Sequence, residues 1–246
     1  MGPRPHRRPM TEPKLRQDSA EPILAPADPA AAPGAILAEE IRMVGEPRGK
    51  IAEQFRSLRN SILAMNPEGA ARTLVLTSAV AGEGKSVAAV NLAIALAELP
   101  GNEILLLDAN LHAPGLERYL GLERAQGFAD VLRGQCPLDA AIRRTAVDHL
   151  SVIGAGTLPE NPSKLLGSDR TRVVLNQLKR RFSYVVVDSP EATTISDASL
   201  LGAMADGILL VVRLGETSKT LVEQALNQLE SMGGNVLGTC LTGGPE

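Results

Sequence analysis

Cysteine is scarce in this chain of 246 residues, which has only Cys136 and Cys240. Neither lies in a CxxC pattern or in a spacing with histidine that is typical of a metal site. Two isolated cysteines of this kind favour a reducing, cytosolic compartment, because disulfide frameworks belong to oxidising ones. We expect both thiols to be structural or incidental.

A basic excess and a long apolar run are missing as well. The formal net charge is −3 and the isoelectric point is about 5.7, which argues against a general nucleic-acid binder. No stretch of about 18 apolar residues occurs, and the first residues lack the apolar core of a signal peptide. The sequence therefore predicts a cytoplasmic protein with no nucleic-acid partner.

Proline is abundant at the beginning of the chain, where residues 1–34 hold eight of the 17 prolines with many alanines and few large apolar groups. Such a composition is typical of a disordered segment, because it offers too little apolar surface to form a core. We expect residues 1–45 to form a disordered tail, basic at its start, and residues 46–246 to form a single domain.

The stretch from Thr73 to Glu98 organises that domain. Its apolar run, residues 74–76, predicts a strand buried on both faces. Residues 87–97 contain no Gly or Pro and are rich in Ala and Leu, which predicts a helix. The loop between them reads AxxxxGKS, one residue away from the phosphate-binding P-loop pattern because Ala79 stands at the first glycine position.

This loop predicts a site for ATP and Mg²⁺. Lys85 would reach the β- and γ-phosphates, Ser86 would offer its hydroxyl to Mg²⁺, and backbone N–H groups would surround the phosphates. The predicted nucleotide-binding residues are Ala81, Gly82, Glu83, Gly84, Lys85, Ser86 and Val87.

Two further apolar runs end in a carboxylate, at Asp108 and at Asp188. Mg²⁺ in nucleotide sites commonly takes one or two carboxylates, and YVVVD at residues 184–188 matches the Walker B pattern. Asp108 would lie beside the P-loop if its strand neighbours the P-loop strand. Strands predicted at residues 150–153, 207–212 and 236–241 alternate with helices at 168–181 and 219–232. This alternation predicts an α/β fold, a doubly wound, mostly parallel sheet with helices on both faces.

A helix is also predicted at residues 50–65, because Ile51, Phe55, Leu58, Ile62 and Met65 recur at helical spacing. Its other face carries Glu53, Arg56 and Arg59. Glu53 and Arg56 lie three residues apart, so they can pair within the helix.

The ordered set of segments over residues 50–242 resembles the bacterial tyrosine kinases of polysaccharide export, which share a P-loop branch with the MinD and Mrp ATPases. The segments are EQFRSLRNSI, SAVAGEGKS, ILLLDANLHAPGLERYLGL, GFADVLRG, GAGTLPENPSKLL, YVVVDSPE and ADGILLVVR. The resemblance implies a nucleotide-binding, kinase-like domain with catalytic roles for Lys85 and Asp108. It implies a metal site of Ser86, Asp108 and Asp188.

The resemblance also implies partners. Glu53, Arg56 and Arg59 match the ExxRxxR segment that joins subunits of the family into a ring. Family members work with a membrane-embedded polysaccharide copolymerase, so we expect a homo-oligomer that associates peripherally with the membrane through a separate partner of this type.

Several positions depart from the family pattern. Walker A′ usually reads DxDxR, whereas this chain has Asn110 at the second acid and His112 at the basic position. Family members typically end in a tyrosine cluster, whereas the tyrosines here are Tyr119 and Tyr184. Thr242 replaces an asparagine near the adenine, and the sequence DSPE, which includes Glu191, replaces DTPP.

These features leave three hypotheses. The first is an ATP-dependent protein-tyrosine kinase that regulates exopolysaccharide or capsule synthesis or export. The second is a catalytically weak, ATP-gated regulatory module for the same membrane partner, consistent with Asn110. The third is a MinD- or ParA-like ATPase, although that group usually carries an extra lysine early in the P-loop, where this chain has Val80 and Ala81.

Overall fold

The computed structural model describes residues 37–70 and 72–244. Within them, seven strands form one sheet in the order β3-β4-β2-β5-β1-β6-β7. The strands are parallel except β3, which pairs antiparallel with β4 at the edge. In chain order the elements are α1 (Arg42–Gly45), α2 (Lys50–Ala64), β1 (Arg72–Ser78), α3 (Lys85–Ala97), β2 (Ile104–Asp108), α4 (Leu116–Tyr119), α5 (Phe128–Arg133), α6 (Leu138–Ala141), β3 (Arg143–Arg144), β4 (Leu150–Ile153), α7 (Pro162–Leu166), α8 (Asp169–Lys179), β5 (Tyr184–Asp188), α9 (Asp197–Gly202), β6 (Gly207–Arg213), α10 (Lys219–Ser231) and β7 (Val236–Thr242).

Helices cover both faces of the sheet, which confirms the predicted doubly wound α/β fold. Side chains of a strand alternate between its faces, and Leu74 and Leu76 join one apolar core with α2 and α3. Val75, between them, joins a second core with α5, α8, α9 and α10. The central strands are buried on both sides, as their continuous apolar runs predict.

The P-loop helix α3 lies between the sheet and α2, and nearly all its residues are buried. It begins at Lys85, two residues before the predicted start. Lys85 and Ser86 therefore belong to the first helical turn, where unpaired backbone N–H groups and the helix dipole favour an anion.

The order of the central strands does not meet the condition under which Asp108 was expected beside the P-loop. The strand that ends at Asp108 does not neighbour the P-loop strand, because β5 lies between them. Asp108 is instead in register with Asp188 on the adjacent strand. The two carboxylates that end apolar runs therefore lie side by side at the carboxyl edge of the sheet.

The predicted tail extends too far into the chain. Residues 37–45, placed in the tail, include α1, and Ile41 and Met43 are buried against the α2–α3 side. The backbone N–H of Met43 donates to Asn91 Oδ1 at 3.0 Å, which fixes this segment to α3. The domain thus begins before residue 46, and residues 1–36 of the predicted tail lie outside the described residues.

No helix in the described parts of the chain is both long and apolar enough to cross a lipid bilayer.

Candidate active site

The P-loop takes the conformation that its glycines permit. Gly82 and Gly84 both have φ of +85°, a left-handed conformation that favours glycine. Gly84 immediately precedes α3, so the loop turns directly into the helix N-terminus. Lys85 is buried in the first turn of α3.

Glu83 has a structural role that the motif does not reveal. It is buried, and its carboxylate accepts hydrogen bonds from the N–H groups of Val80 at 2.9 Å and Arg213 at 3.1 Å, and from the Thr217 hydroxyl. Its backbone carbonyl accepts the hydroxyl of Thr242 at 2.7 Å. The Glu83 side chain therefore connects the P-loop to the end of β6 and the residues after it, and the Glu83 backbone carbonyl connects the loop to the end of β7.

Ser86 in the first turn of α3 contacts Asp188 at the end of β5, and Asp108 at the end of β2 is in register with Asp188. Ser86 Oγ donates to Asp188 Oδ2 at 2.6 Å. The other oxygen, Asp188 Oδ1, is buried without a hydrogen-bond partner among the described residues. A buried carboxylate oxygen without a partner is costly, and a cation or its water would satisfy it, so these residues fit a Mg²⁺ site.

Burial sets the ionisation of both carboxyl groups. Desolvation raises the pKa of Asp188 to about 7, and the charge of Asp108 adds to that rise. Desolvation likewise raises the pKa of Asp108 to about 6, against three backbone N–H bonds that favour its ionised form. Both groups therefore release their protons near neutral pH unless a cation stabilises the carboxylates.

The loop after β2 is organised around Asp108. Asp108 Oδ2 accepts the N–H groups of Gly115 at 3.0 Å and Leu116 at 3.1 Å, and Oδ1 accepts the N–H of Asn110 at 3.2 Å. Asn110 Oδ1 in turn accepts the N–H of Ala113 at 3.2 Å. The side chain of Asn110 thus closes a local turn.

His112 extends from this turn to another element. Its Nε2 lies 3.0 Å from Oδ2 of Asp197, the first residue of α9. Sequence reasoning did not find Asp197, which carries no motif signal of its own.

A cavity of about 730 Å³ opens beside the P-loop. It lies between the first half of α2, the start of α3 and the end of β7, with Gly84, Val87 and Thr242 on its wall. Phe55 and Cys240 contribute to its apolar part. Burial raises the pKa of the Cys240 thiol to about 11, so this cysteine is not a thiolate at neutral pH.

The three residues predicted to join subunits differ in their contacts and in their exposure to solvent. Arg56 donates two hydrogen bonds to Glu98, the residue after α3, at 2.6 and 2.9 Å, and a third to Glu53. Arg59 donates to Glu98 at 3.0 Å and to the carbonyl of Ala95 at 3.0 Å. The side chains of Arg56 and Arg59 are 20% and 12% exposed, whereas Glu53 is 64% exposed. Within one chain, both arginines therefore attach α2 to α3.

The two tyrosines and Glu191, at which the chain differs from the family pattern, are buried or half-buried. Tyr184 is buried, with its hydroxyl accepting from Asn66 at 3.0 Å. Tyr119 is half-buried in α4, with the Arg118 guanidinium 4.7 Å from its ring centre. Glu191 is half-buried and accepts the Thr194 hydroxyl at 2.9 Å.

Comparisons with known proteins show the family to which the chain belongs. The ParA family model, described as NUBPL iron-transfer P-loop NTPase, matches residues 69–240. The tyrosine-protein kinase YwqD of Bacillus subtilis (strain 168) is 30% identical over 210 residues, which cover 85% of this chain and 88% of YwqD. The chain belongs to this family of bacterial tyrosine-protein kinases, within the P-loop NTPases.

Solved structures share the fold. The chimerical protein CapA2B2 superimposes with a TM-score of 0.80 at 28% identity, covering 87% of this chain and 94% of that one. The BceF tyrosine kinase domain gives a TM-score of 0.75 at 36% identity, covering 83% and 82%. The family resemblance and the P-loop fold predicted from the sequence are confirmed.

Proposed function

We propose that this protein is an ATP-dependent protein-tyrosine kinase that regulates exopolysaccharide or capsule synthesis or export. The observation that carries the proposal is the group of Ser86, Asp188 and Asp108 beside a P-loop, in a chain related to named tyrosine-protein kinases. Phosphoryl transfer needs positioning and charge neutralisation more than covalent chemistry. A rigid loop, a buried lysine and paired carboxylates supply these.

The P-loop would hold the phosphates of ATP. Its backbone N–H groups and the N-terminus of α3 present positive partial charges, and Lys85 adds a full charge within the buried site. The cavity beside Gly84 and Val87 would receive the adenosine, because it continues directly from the loop and combines apolar walls with polar groups such as Thr242. The Glu83 carboxylate fixes the geometry of the loop by accepting the N–H groups of Val80 and Arg213.

Ser86, Asp188 and Asp108 would hold Mg²⁺. When bound, the ion neutralises charge on the phosphates during transfer. Ser86 contributes its hydroxyl and Asp188 the oxygen that lacks a partner among the described residues. Asp108 keeps its carboxylate oriented through its backbone hydrogen bonds, so little reorganisation is needed.

A test of this proposal starts with binding. Purified protein should bind a fluorescent ATP analogue in the presence of Mg²⁺ and transfer phosphate to a random Glu/Tyr copolymer. A wild-type protein that does not bind the analogue contradicts the proposal.

The second candidate function is an ATP-gated regulatory module with little transferase activity. It is favoured by Asn110, which replaces an acid of the family pattern. The side-chain oxygen of Asn110 already accepts the N–H of Ala113 in the turn. Incubation with labelled ATP separates the two functions. Nucleotide binding without phosphotyrosine on the copolymer supports the module and contradicts the kinase.

We also propose that subunits assemble into a ring on a membrane polysaccharide copolymerase, so that the protein lies at the cytoplasmic face of the membrane. The resemblance of Glu53, Arg56 and Arg59 to a family segment supports the ring, and Glu53 is the member with a largely exposed side chain. Glu53 would then make the contact between subunits, whereas the arginines orient α2.

Sedimentation analysis of Glu53→Lys and Arg56→Ala tests this division. Glu53→Lys should remove the oligomer with a melting temperature close to wild type. Arg56→Ala should lower stability by about 1 kcal/mol, because it removes a bidentate pair with the Glu98 carboxylate. An unchanged oligomer for Glu53→Lys contradicts the assigned contact.

A further inference from the structure

The loop after β2 carries a histidine–carboxylate pair that does not line the cavity beside the P-loop. His112 Nε2 lies 3.0 Å from Asp197 Oδ2. The Asp197 side chain is fully buried, whereas that of His112 is 36% exposed. One end of the pair is therefore fixed inside the protein, and the other end is open to a molecule arriving from solvent.

The pair lies at the edge of the sheet where the nucleotide site is. His112 follows β2, which ends at Asp108, and Asp197 follows β5, which ends at Asp188. These two strands are neighbours, with Asp108 and Asp188 in register. The contact between His112 and Asp197 thus spans the carboxyl ends of the two strands, the place where ligands bind in open parallel sheets.

Asn110 fixes the turn on which His112 stands. Its side-chain oxygen accepts the N–H of Ala113, and its own N–H donates to Asp108, so the turn is closed on both sides of His112. Asn110 and His112 are also the two positions at which the loop departs from the DxDxR pattern. The two departures therefore belong to one local structure.

Asp108 is poorly placed to take a proton from another protein. It is 1% exposed, and its two oxygens already accept three backbone N–H groups. His112 has the opposite properties. Its exposed ring is oriented by a carboxylate at Nε2, which favours the proton on that nitrogen and leaves the Nδ1 lone pair available.

We propose that His112, oriented by Asp197, is the general base that accepts the proton of the attacking tyrosine hydroxyl. This rests on the proposed function of phosphoryl transfer to tyrosine. As the hydroxyl oxygen bonds to the γ-phosphorus, its O–H bond breaks and the proton passes to His112 Nδ1. The bond from the γ-phosphorus to the β–γ bridging oxygen breaks, and ADP leaves with that electron pair. Asp197 balances the charge of the resulting imidazolium.

Steady-state kinetics of the full chain with Mg-ATP and a random Glu/Tyr copolymer tests the assignment. His112→Asn should lower kcat by about 100-fold, the usual contribution of a general base. The KM for ATP should stay within about twofold, because His112 does not line the cavity proposed for the adenosine.

His149 offers a matched control. It pairs with Glu103 at 2.9 Å and is also exposed, but its carbonyl accepts the N–H of Ile104 at the start of β2, on the opposite edge of the sheet. Its φ is +62°, which asparagine tolerates well. His149→Asn should leave kcat unchanged.

Rescue by free imidazole separates a base from a residue that only shapes the loop. In His112→Ala, added imidazole should restore transfer, and the restored rate should follow the neutral form of imidazole as pH changes. Wild type and His149→Asn should not respond. Asp197→Asn should reduce kcat without rescue, because the ring remains but loses its orientation.

The outcomes distinguish this inference from the proposed function. A wild type that phosphorylates the copolymer while His112→Asn retains its kcat overturns the inference and leaves the kinase intact. A His112→Ala protein that binds nucleotide normally but gains nothing from imidazole also overturns it. Nucleotide binding without any transfer by wild type overturns both the kinase proposal and the inference.

Discussion

Two loops meet at the carboxyl edge of the sheet, and they are held in different ways. The phosphate-side loop, residues 79–86, is fixed from remote parts of the chain through Glu83, whose partners Arg213 and Thr217 lie 130 and 134 residues away in sequence. The acceptor-side loop, residues 108–115, is fixed mainly by its own side chains, Asp108 and Asn110. The first loop is thus rigid because the whole domain is folded, whereas the second carries its own scaffold.

The two loops also differ in how far they depart from the family pattern. The phosphate-side loop keeps its motif except at Ala79, which is fully buried in the core. The departures Asn110 and His112 both fall in the acceptor-side loop. The bonds of Asp108 and Asn110 close this loop locally, and His112 joins it to Asp197 of α9.

The largest expected effect comes from removing the charge of the phosphate-side loop. Lys85→Met should weaken binding of a fluorescent ATP analogue by at least about 100-fold, since a buried lysine at phosphate oxygens has no substitute. Fluorescence titration gives the Kd. Lys219→Met is the matched control, because Lys219 is 89% exposed on α10. Equal affinities for the two variants would show that the loop does not bind phosphate.

A pH dependence follows from Asp108 and Asp188, which are in register at the carboxyl edge of the sheet. Folding raises the pKa of Asp188 to about 7 and that of Asp108 to about 6. The folded protein then holds protons that the unfolded chain has lost, so stability without metal falls as pH rises from about 4 to about 7. Mg²⁺ requires the ionised groups, so its affinity should rise in the opposite direction, by roughly tenfold between about pH 6 and about pH 8.

Thermal unfolding with and without Mg-ADP at the two pH values measures this effect. The stabilisation by Mg-ADP should be larger at the higher pH. Asp188→Asn, which has no proton to lose, should flatten the difference. A shift that is equal at both pH values in wild type would exclude these carboxylates as the metal ligands.

The next effect tests whether the phosphate-side loop depends on its remote anchor. Glu83→Gln keeps the shape of the side chain but turns one acceptor into a donor that faces other donors, at a cost of about 1–3 kcal/mol. We expect a lower melting temperature together with a nucleotide Kd raised by roughly tenfold, because the loop relaxes. Calorimetry and titration measure the two. Glu160→Gln, at an exposed position, should change neither. Loss of stability without loss of affinity would show that the anchor supports the fold alone.

The same contrast explains how far the sequence could predict the molecule. The long apolar strands and the P-loop helix α3 are evident from periodicity, whereas β3 has two residues and α4 and α6 four each, too short to produce a pattern. The strand order depends on pairings between distant segments, so the place of β5 between β1 and β2 was not foreseen.

The contacts of the site residues also differ in whether a local sequence signal predicts them. The turn at Asn110 joins positions three residues apart, and asparagine commonly closes such turns, so a local signal existed. The contact of His112 with Asp197 spans 85 residues, and that of Thr242 with Glu83 spans 159. Contacts at such separations arise from the tertiary fold, and no local motif encodes them.

The smallest effect should come from restoring the family acid in the acceptor-side loop. Asn110→Asp keeps an oxygen that can accept the N–H of Ala113, so the turn should persist with little change in melting temperature. The added charge lies next to Asp108 and should attract Mg²⁺ more strongly, by several-fold at about pH 8, at low ionic strength. Titration of Mg²⁺ against the nucleotide-bound protein measures the gain. If the Mg²⁺ affinity is unchanged while kcat falls, Asn110 acts through the turn that carries His112 and not through the metal. The asparagine at position 110 would then be required for proton transfer by the acceptor-side loop.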